Sequence, residues 1–152
     1  MARIAILPGS FDPVTVGHLD IVKRSTSLFD KIIIGLGINS MKQTMFTTEQ
    51  RMKWLQTTFK EFPNVEVKAY EGLTVNFCKQ EQAKYILRGL RTSTDFQFEK
   101  AIAQMNQLLE AEIETVFILS LPQYAPVSST IVRDIIRHGG DVKQFLPNGV
   151  TP

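Results

Sequence analysis

The residues of this chain that could handle phosphate fall in four short segments. The first reads Pro8-Gly9-Ser10-Phe11-Asp12-Pro13-Val14-Thr15-Val16-Gly17-His18. Its glycines and small hydroxyls let a ligand come close to the backbone. Gly17 and His18 fall where a helix is expected to open, so the helix dipole and its free amides favour negative charge there. An imidazole at that place can donate to a phosphoryl oxygen. Taken alone, the pair also reads as a glycine turn whose histidine merely caps the helix. The loop is neither GxGxxG nor GxxxxGK[ST], which argues against a dinucleotide oxidoreductase and a P-loop NTPase.

The second segment, Arg88-Gly89-Leu90-Arg91, puts two guanidinium groups around a glycine. Arginine forks bind phosphate oxygens bidentately and stay charged at physiological pH. Two exposed salt-bridging arginines would look the same in sequence. The third, Val127-Ser128-Ser129-Thr130-Ile131-Val132-Arg133, opens a helix with three hydroxyl residues where one suffices for a cap, and the surplus hydroxyls and free amides make an anion site suited to the β- and γ-phosphates of a nucleotide. The fourth is Lys42, which is either a solvated lysine or a point charge for a substrate phosphate.

These segments need elements to aim them. Short runs rich in Ile, Val, Leu and aromatics predict strands over residues 3–7, 31–38, 65–70, 85–88 and 115–120. Helical spacing predicts helices over 17–29, 48–62, 74–82, 95–112 and 128–138, the last stopped by Gly139-Gly140, with a further turn over 141–145. Alternating strand and helix predicts an α/β fold, a single doubly wound, Rossmann-like domain over residues 1–152 with a five-stranded parallel sheet. Ligands in such sheets bind beyond the carboxyl ends of the strands, where strand order reverses. All four segments follow a predicted strand.

Composition bounds the rest. The chain has 152 residues, 43% hydrophobic and 21% charged, a globular balance with length for one substantial core. A formal charge of +2 is too small to point to nucleic acid or a membrane surface. No apolar run approaches the about 20 residues of a membrane span. The one cysteine, Cys78, has no intrachain partner, and Met1 is followed by an alternating segment rather than a secretion signal. A soluble, cytoplasmic protein is expected. Cys78 sits in an apolar stretch without metal-ligand spacing, as a packed core thiol would.

Together the segments resemble the nucleotidyltransferase superfamily, through Thr15-Val16-Gly17-His18 and Ser128-Ser129-Thr130. Within it the whole chain is similar to the bacterial phosphopantetheine adenylyltransferases. The likeness runs from Pro8-Gly9-Ser10-Phe11-Asp12-Pro13 through Lys42, Met45-Phe46-Thr47, Arg88 to Arg91 and Asp95-Phe96, to Gly140-Asp141-Val142 and Phe145-Leu146-Pro147. The resemblance implies adenylyl transfer from ATP to 4′-phosphopantetheine, giving dephospho-coenzyme A and pyrophosphate. It also implies Mg²⁺ bound mainly through the ATP phosphates, a homohexamer, and feedback inhibition by coenzyme A. It assigns ATP to Ser10, Phe11, His18, Gly89, Leu90, Arg91, Glu99, Tyr124, Ala125, Pro126, Val127, Ser128, Ser129 and Thr130. The acceptor is assigned to Ser10, Lys42, Thr74 and Arg88, with Ile102, Met105 and Asn106 along its channel. No residue is assigned as a metal ligand.

The sequence departs from the family's pattern at Leu7, Ser10 and Gln43-Thr44. The acceptor brings its own anionic oxygen, so His18, Lys42 and Arg91 are expected to catalyse by positioning and charge stabilisation. Nicotinamide mononucleotide, or glycerol phosphate with CTP, are the rival substrates. A non-catalytic nucleotide-binding module and a tRNA-charging fragment are the rivals of other classes.

Overall fold

The computed structural model describes residues 1–152. Its elements alternate without exception: β1 (Ile4–Gly9), α1 (Val16–Ser25), β2 (Lys31–Gly37), α2 (Thr48–Phe59), β3 (Val65–Tyr70), α3 (Thr74–Gln80), β4 (Tyr85–Leu90), α4 (Ser93–Leu109), β5 (Glu114–Leu119) and α5 (Ser129–Arg137), then a 3₁₀ turn at Lys143–Phe145. The strands form one sheet in the order β3-β2-β1-β4-β5, and every pairing is parallel. The expected α/β fold and five-stranded parallel sheet are both present.

Strand order reverses between β1 and β4. β1 runs in register with β2 from Ile4↔Lys31 to Gly9↔Leu36, and β4 with β5 from Tyr85↔Glu114 to Leu90↔Leu119. Between β1 and β4 the register holds only at Ala5↔Tyr85 and Ile6↔Ile86. Past those two rungs the strands part, and their carboxyl ends flank an opening.

Both strands run two residues beyond the sequence expectation, because Pro8 and Gly9 still align with Gly35 and Leu36, and Gly89 and Leu90 with Ile118 and Leu119. Read locally, Pro and Gly look like loop. Pro8 is tolerated because its carbonyl faces Arg88, so its missing N–H falls on the side where the rungs have stopped. α1 ends at Ser25 rather than at residue 29; the Ser25 hydroxyl donates to the Ile21 carbonyl at 2.7 Å. Phe29 instead packs in the core against the Tyr85 ring, 5.6 Å between centroids.

The central strands are apolar on both faces, as a parallel sheet covered on both sides requires. On one face Leu7, Ile32, Ile34, Leu36 and Leu87 pack with Val22, Leu55, Phe59 and Val132 from α1, α2 and α5. On the other, Ile6, Ile33 and Ile86 pack with Val75, Phe77 and Cys78 of α3. Burial pushes the Cys78 thiol up to about 12, in keeping with a core thiol. No helix is long and apolar enough to cross a membrane.

Gly35 lies under the Tyr70 and Phe77 rings, which stack 4.5 Å apart and 2° from parallel. A Cβ there would meet Tyr70 at 3.0 Å, Phe77 at 3.2 Å and Ile6 at 3.3 Å. Gly35→Val is therefore expected to destabilise the fold by about 1–3 kcal/mol through overpacking. Denaturant unfolding checks this, and an unchanged midpoint would show that the rings yield freely.

Candidate active site

The parting of β1 and β4 opens a cavity of about 300 Å³. Its walls come from the loop after β1 (Ser10, Phe11), the start of α1 (Gly17, His18), the end of β4 (Arg88, Gly89, Arg91) and α4 (Asp95, Glu99). Tyr124 and Val127 to Thr130 close the far side. The segments chosen from sequence for phosphate chemistry thus converge on one space, with Lys42 just outside it. Leu90, Ala125 and Pro126 are beside the cavity rather than in its walls.

His18 is fixed by its own helix start. Thr15 caps α1: its hydroxyl accepts from the His18 amide at 3.4 Å, and its backbone N–H donates to His18 Nδ1 at 3.0 Å. A capping box built with histidine has a chemical result. With Nδ1 accepting, the ring proton sits on Nε2, and the ring lines the cavity. Phe11 meets the imidazole edge-on, 4.9 Å between centroids. Burial, with the charges of Arg88 and then Arg91, pushes the imidazole pKa down to about 4. At neutral pH His18 is an uncharged Nε2–H donor. The two sequence readings of His18, cap and phosphoryl donor, are compatible in one residue.

Each cavity arginine is aimed by a carboxylate. Arg88 forms a two-pronged pair with Glu99, at 3.0 and 2.7 Å, and donates through Nη1 to the Pro8 carbonyl at 2.6 Å. Glu99 is buried. Its carboxylate is turned toward Arg88. Arg91 is held by Asp95, whose carboxylate accepts from the Arg91 amide at 3.0 Å and from its guanidinium. In the sequence Asp95 stands out only through the family likeness at Asp95-Phe96.

At the start of α5 each of the three hydroxyls has a partner within the protein. Ser128 caps the helix by accepting from the Ile131 amide, Ser129 donates to the Pro13 carbonyl at 2.7 Å, and Thr130 accepts from Arg133. The first-turn amides, part of the anion site expected there, have no backbone partners within the helix.

A second cavity of about 230 Å³ lies between α4 and the sheet. Gly37, Tyr70, Thr74, Ile86, Ile102 and Asn106 line it, and it shares Pro8, Gly9, Arg88 and Glu99 with the first. Thr74 is held by a 2.8 Å hydrogen bond with the Tyr70 hydroxyl. Met105, expected beside Ile102 and Asn106, is exposed and outside these walls. Lys42 is on the exposed loop after β2, in the walls of neither cavity, and its Nζ donates to the Ser10 hydroxyl at 3.2 Å. No group of three or more His, Cys, Asp or Glu side chains is placed to hold a metal ion.

Known proteins resemble this chain in sequence and in fold. The cytidylyltransferase-like family model matches residues 6–135. A phosphopantetheine adenylyltransferase of Flavobacterium psychrophilum is 53% identical over 148 residues, 97% of each chain. Enzymes of the same name from Flavobacterium johnsoniae and Lachnoclostridium phytofermentans are 51% and 49% identical, over 97% of this chain and 97% and 91% of theirs. In fold, the chain is similar to a Vibrio parahaemolyticus protein provisionally described as a nicotinate-nucleotide adenylyltransferase. The TM-score is 0.76 and the identity 21%, covering 99% of this chain and 90% of that one.

The His18 environment has a pH signature. Its folded pKa lies near 4, below the ordinary value of 6.5, so between those values the unfolded chain binds the extra proton and the folded chain does not. Stability from this group is full above pH 6.5 and is lost as pH falls toward 4. Imidazole NMR titration is expected to show one histidine titrating near 4. A His18→Gln variant should lose less stability over that interval than the parent. Titration of His18 near 6.5 would contradict this.

Proposed function

The chain belongs to the phosphopantetheine adenylyltransferases of the cytidylyltransferase-like family, and from that membership we propose how its residues carry out the reaction. The protein transfers the adenylyl group of ATP to 4′-phosphopantetheine, giving dephospho-coenzyme A and pyrophosphate. The observation that carries the residue-level reading is the shared wall of the two cavities, where Arg88 faces both. ATP takes the first cavity and the acceptor takes the second, so its phosphate meets the α-phosphorus near Arg88.

A phosphate oxygen of the acceptor, already anionic at neutral pH, attacks the α-phosphorus. A new phosphorus–oxygen bond forms, the bond from the α-phosphorus to the bridging oxygen breaks, and pyrophosphate leaves with the electron pair. No protein base is needed, and a covalent enzyme intermediate would solve no difficulty. His18 donates from Nε2 to the α-phosphate as charge grows there. Arg91 and the first amides of α5 hold the leaving phosphates, while Lys42, Ser10 and Arg88 aim the nucleophile. Asp95 and Glu99 are engaged by arginines, so Mg²⁺ would be held mainly by the ATP phosphates, where it would supply charge neutralisation for the leaving group.

Coenzyme A carries both a pantetheine arm and an adenosine, so it competes as a feedback inhibitor across both cavities. The reaction runs in the cytoplasm, where the one thiol stays reduced. Assembly into a homohexamer follows the family resemblance. It is supported by α4, which leaves Phe98, Ile102, Met105, Leu108 and Leu109 exposed along one side, a large apolar face for a single copy.

Turnover of ATP with 4′-phosphopantetheine, with the product identified by mass, tests the function. His18→Ala is expected to fold normally and lose about 10²–10³-fold in kcat; an unaltered kcat would remove His18 from the mechanism. By calorimetry, Arg91→Ala should weaken ATP more than the acceptor and Lys42→Ala the reverse. Equal losses for both ligands in both variants would undo that division.

A further inference from the structure

Arg51 and Asp12 are ionisable side chains in the interior, yet neither lines either of the two cavities of the site. Each is 4% exposed. A buried charge is costly unless fully hydrogen-bonded, and apolar residues of similar volume would serve packing as well or better. What these two groups bond to is therefore informative. Arg51, in the first turns of α2, donates through Nη1 to the Ser10 carbonyl at 2.7 Å and through Nε to the Phe46 carbonyl at 3.2 Å. Its Nη2 reaches the Thr48 hydroxyl at 3.3 Å. Asp12 answers from the opposite loop: its carboxylate accepts from the Met45 amide at 2.8 Å and the Phe46 amide at 2.9 Å. Arg133 of α5 donates to the Asp12 carbonyl at 2.8 Å.

The two loops joined in this way meet at the acceptor in the function proposed above, Ser10 and Lys42 both aiming it, while the loop after β1 also lines the cavity that takes ATP. The loop after β1 holds Ser10 and Phe11 beside His18, and the loop after β2 holds Lys42. The bonds also bracket a strained residue, since Phe11 has φ +44°, a left-handed conformation that a bulky side chain adopts at a cost. Phe11 lies between the two clamped residues, Ser10 and Asp12. Its ring is buried and packs on His18.

We infer that Arg51 and Asp12 are a positioning pair, which locks the Ser10–Phe11 turn to the Lys42 loop and so fixes the alignment of the acceptor oxygen with the α-phosphorus. The pair touches neither substrate. It acts through Ser10, Phe11 and Lys42, and the inference rests on the roles proposed for those residues. Lysine at position 51 would keep the charge but lose the fork, which bridges two carbonyls at once.

The experiment compares Arg51→Lys with the unaltered protein, measuring kcat, the affinity for each substrate separately by calorimetry, and thermal unfolding. The unaltered protein must turn over ATP with 4′-phosphopantetheine; if it does not, the proposed function fails and this inference with it. Given turnover, Arg51→Lys is expected to bind ATP and the acceptor each within about threefold of the parent while kcat falls about 10- to 100-fold, the mark of misalignment rather than lost contact. A kcat equal to the parent's, whether or not the melting temperature drops, would overturn the inference and leave Arg51 a purely structural residue. If Arg51→Lys does not accumulate folded, Asp12→Asn replaces it under the same criteria, because it disturbs the same junction from the other loop.

Discussion

The site exists because β1 and β4 pair for two rungs and then part. A parallel strand is ordinarily satisfied by neighbours on both sides, and both strands keep their outer neighbours to the end. The inner ladder stops at Ile6 and Ile86, leaving the carboxyl ends free to face a ligand. Arg88 exploits the gap by donating to the Pro8 carbonyl, so a residue of one parted strand is tied to the other at the mouth of the cleft. The loops, helix starts and cavities of the site all depend on that divergence.

Around the opening, cations are paired and oriented rather than left free. Arg88 has Glu99, Arg91 has Asp95, and Arg133 lies 3.9 Å from Asp12. Such partly buried pairs contribute little net stability, since desolvation offsets most of the attraction. Their effect is geometric: a guanidinium held by a carboxylate presents its remaining donors in one direction. His18 follows the same logic without charge, its Nδ1 taken by the Thr15 amide so that only Nε2–H is left for a ligand.

Much of this was legible in the sequence because it is local. Alternating apolar runs and helical spacing predicted the five strands, their helices and a doubly wound sheet. Gly17-His18 and Arg88 to Arg91 stood out because they follow strands. What escaped detection depends on directions that spacing does not encode. The partners of Arg51 lie 5 and 41 residues away in sequence, and Asp12 reaches 33 and 34 residues forward. The hydroxyls at 128 to 130 and the free amides beside them read as a phosphate cradle; in the fold Ser129 bonds a tertiary neighbour, Thr130 a residue of its own helix, and Ser128 caps that helix. α4 likewise read as one more amphipathic helix. Only its placement against β4 and β5 shows how much of its apolar surface is left uncovered.

The partition between the two cavities is itself an ion pair, and this gives it a thermodynamic role apart from binding. Any ligand on one side that draws Arg88 away from Glu99 changes the charge presented to the other side. By linkage the effect is reciprocal: the factor by which one occupant alters the affinity of the second equals the factor by which the second alters that of the first. Any coupling carried by this guanidinium–carboxylate contact of 2.7 Å would have its sign set by which partner each ligand pulls upon.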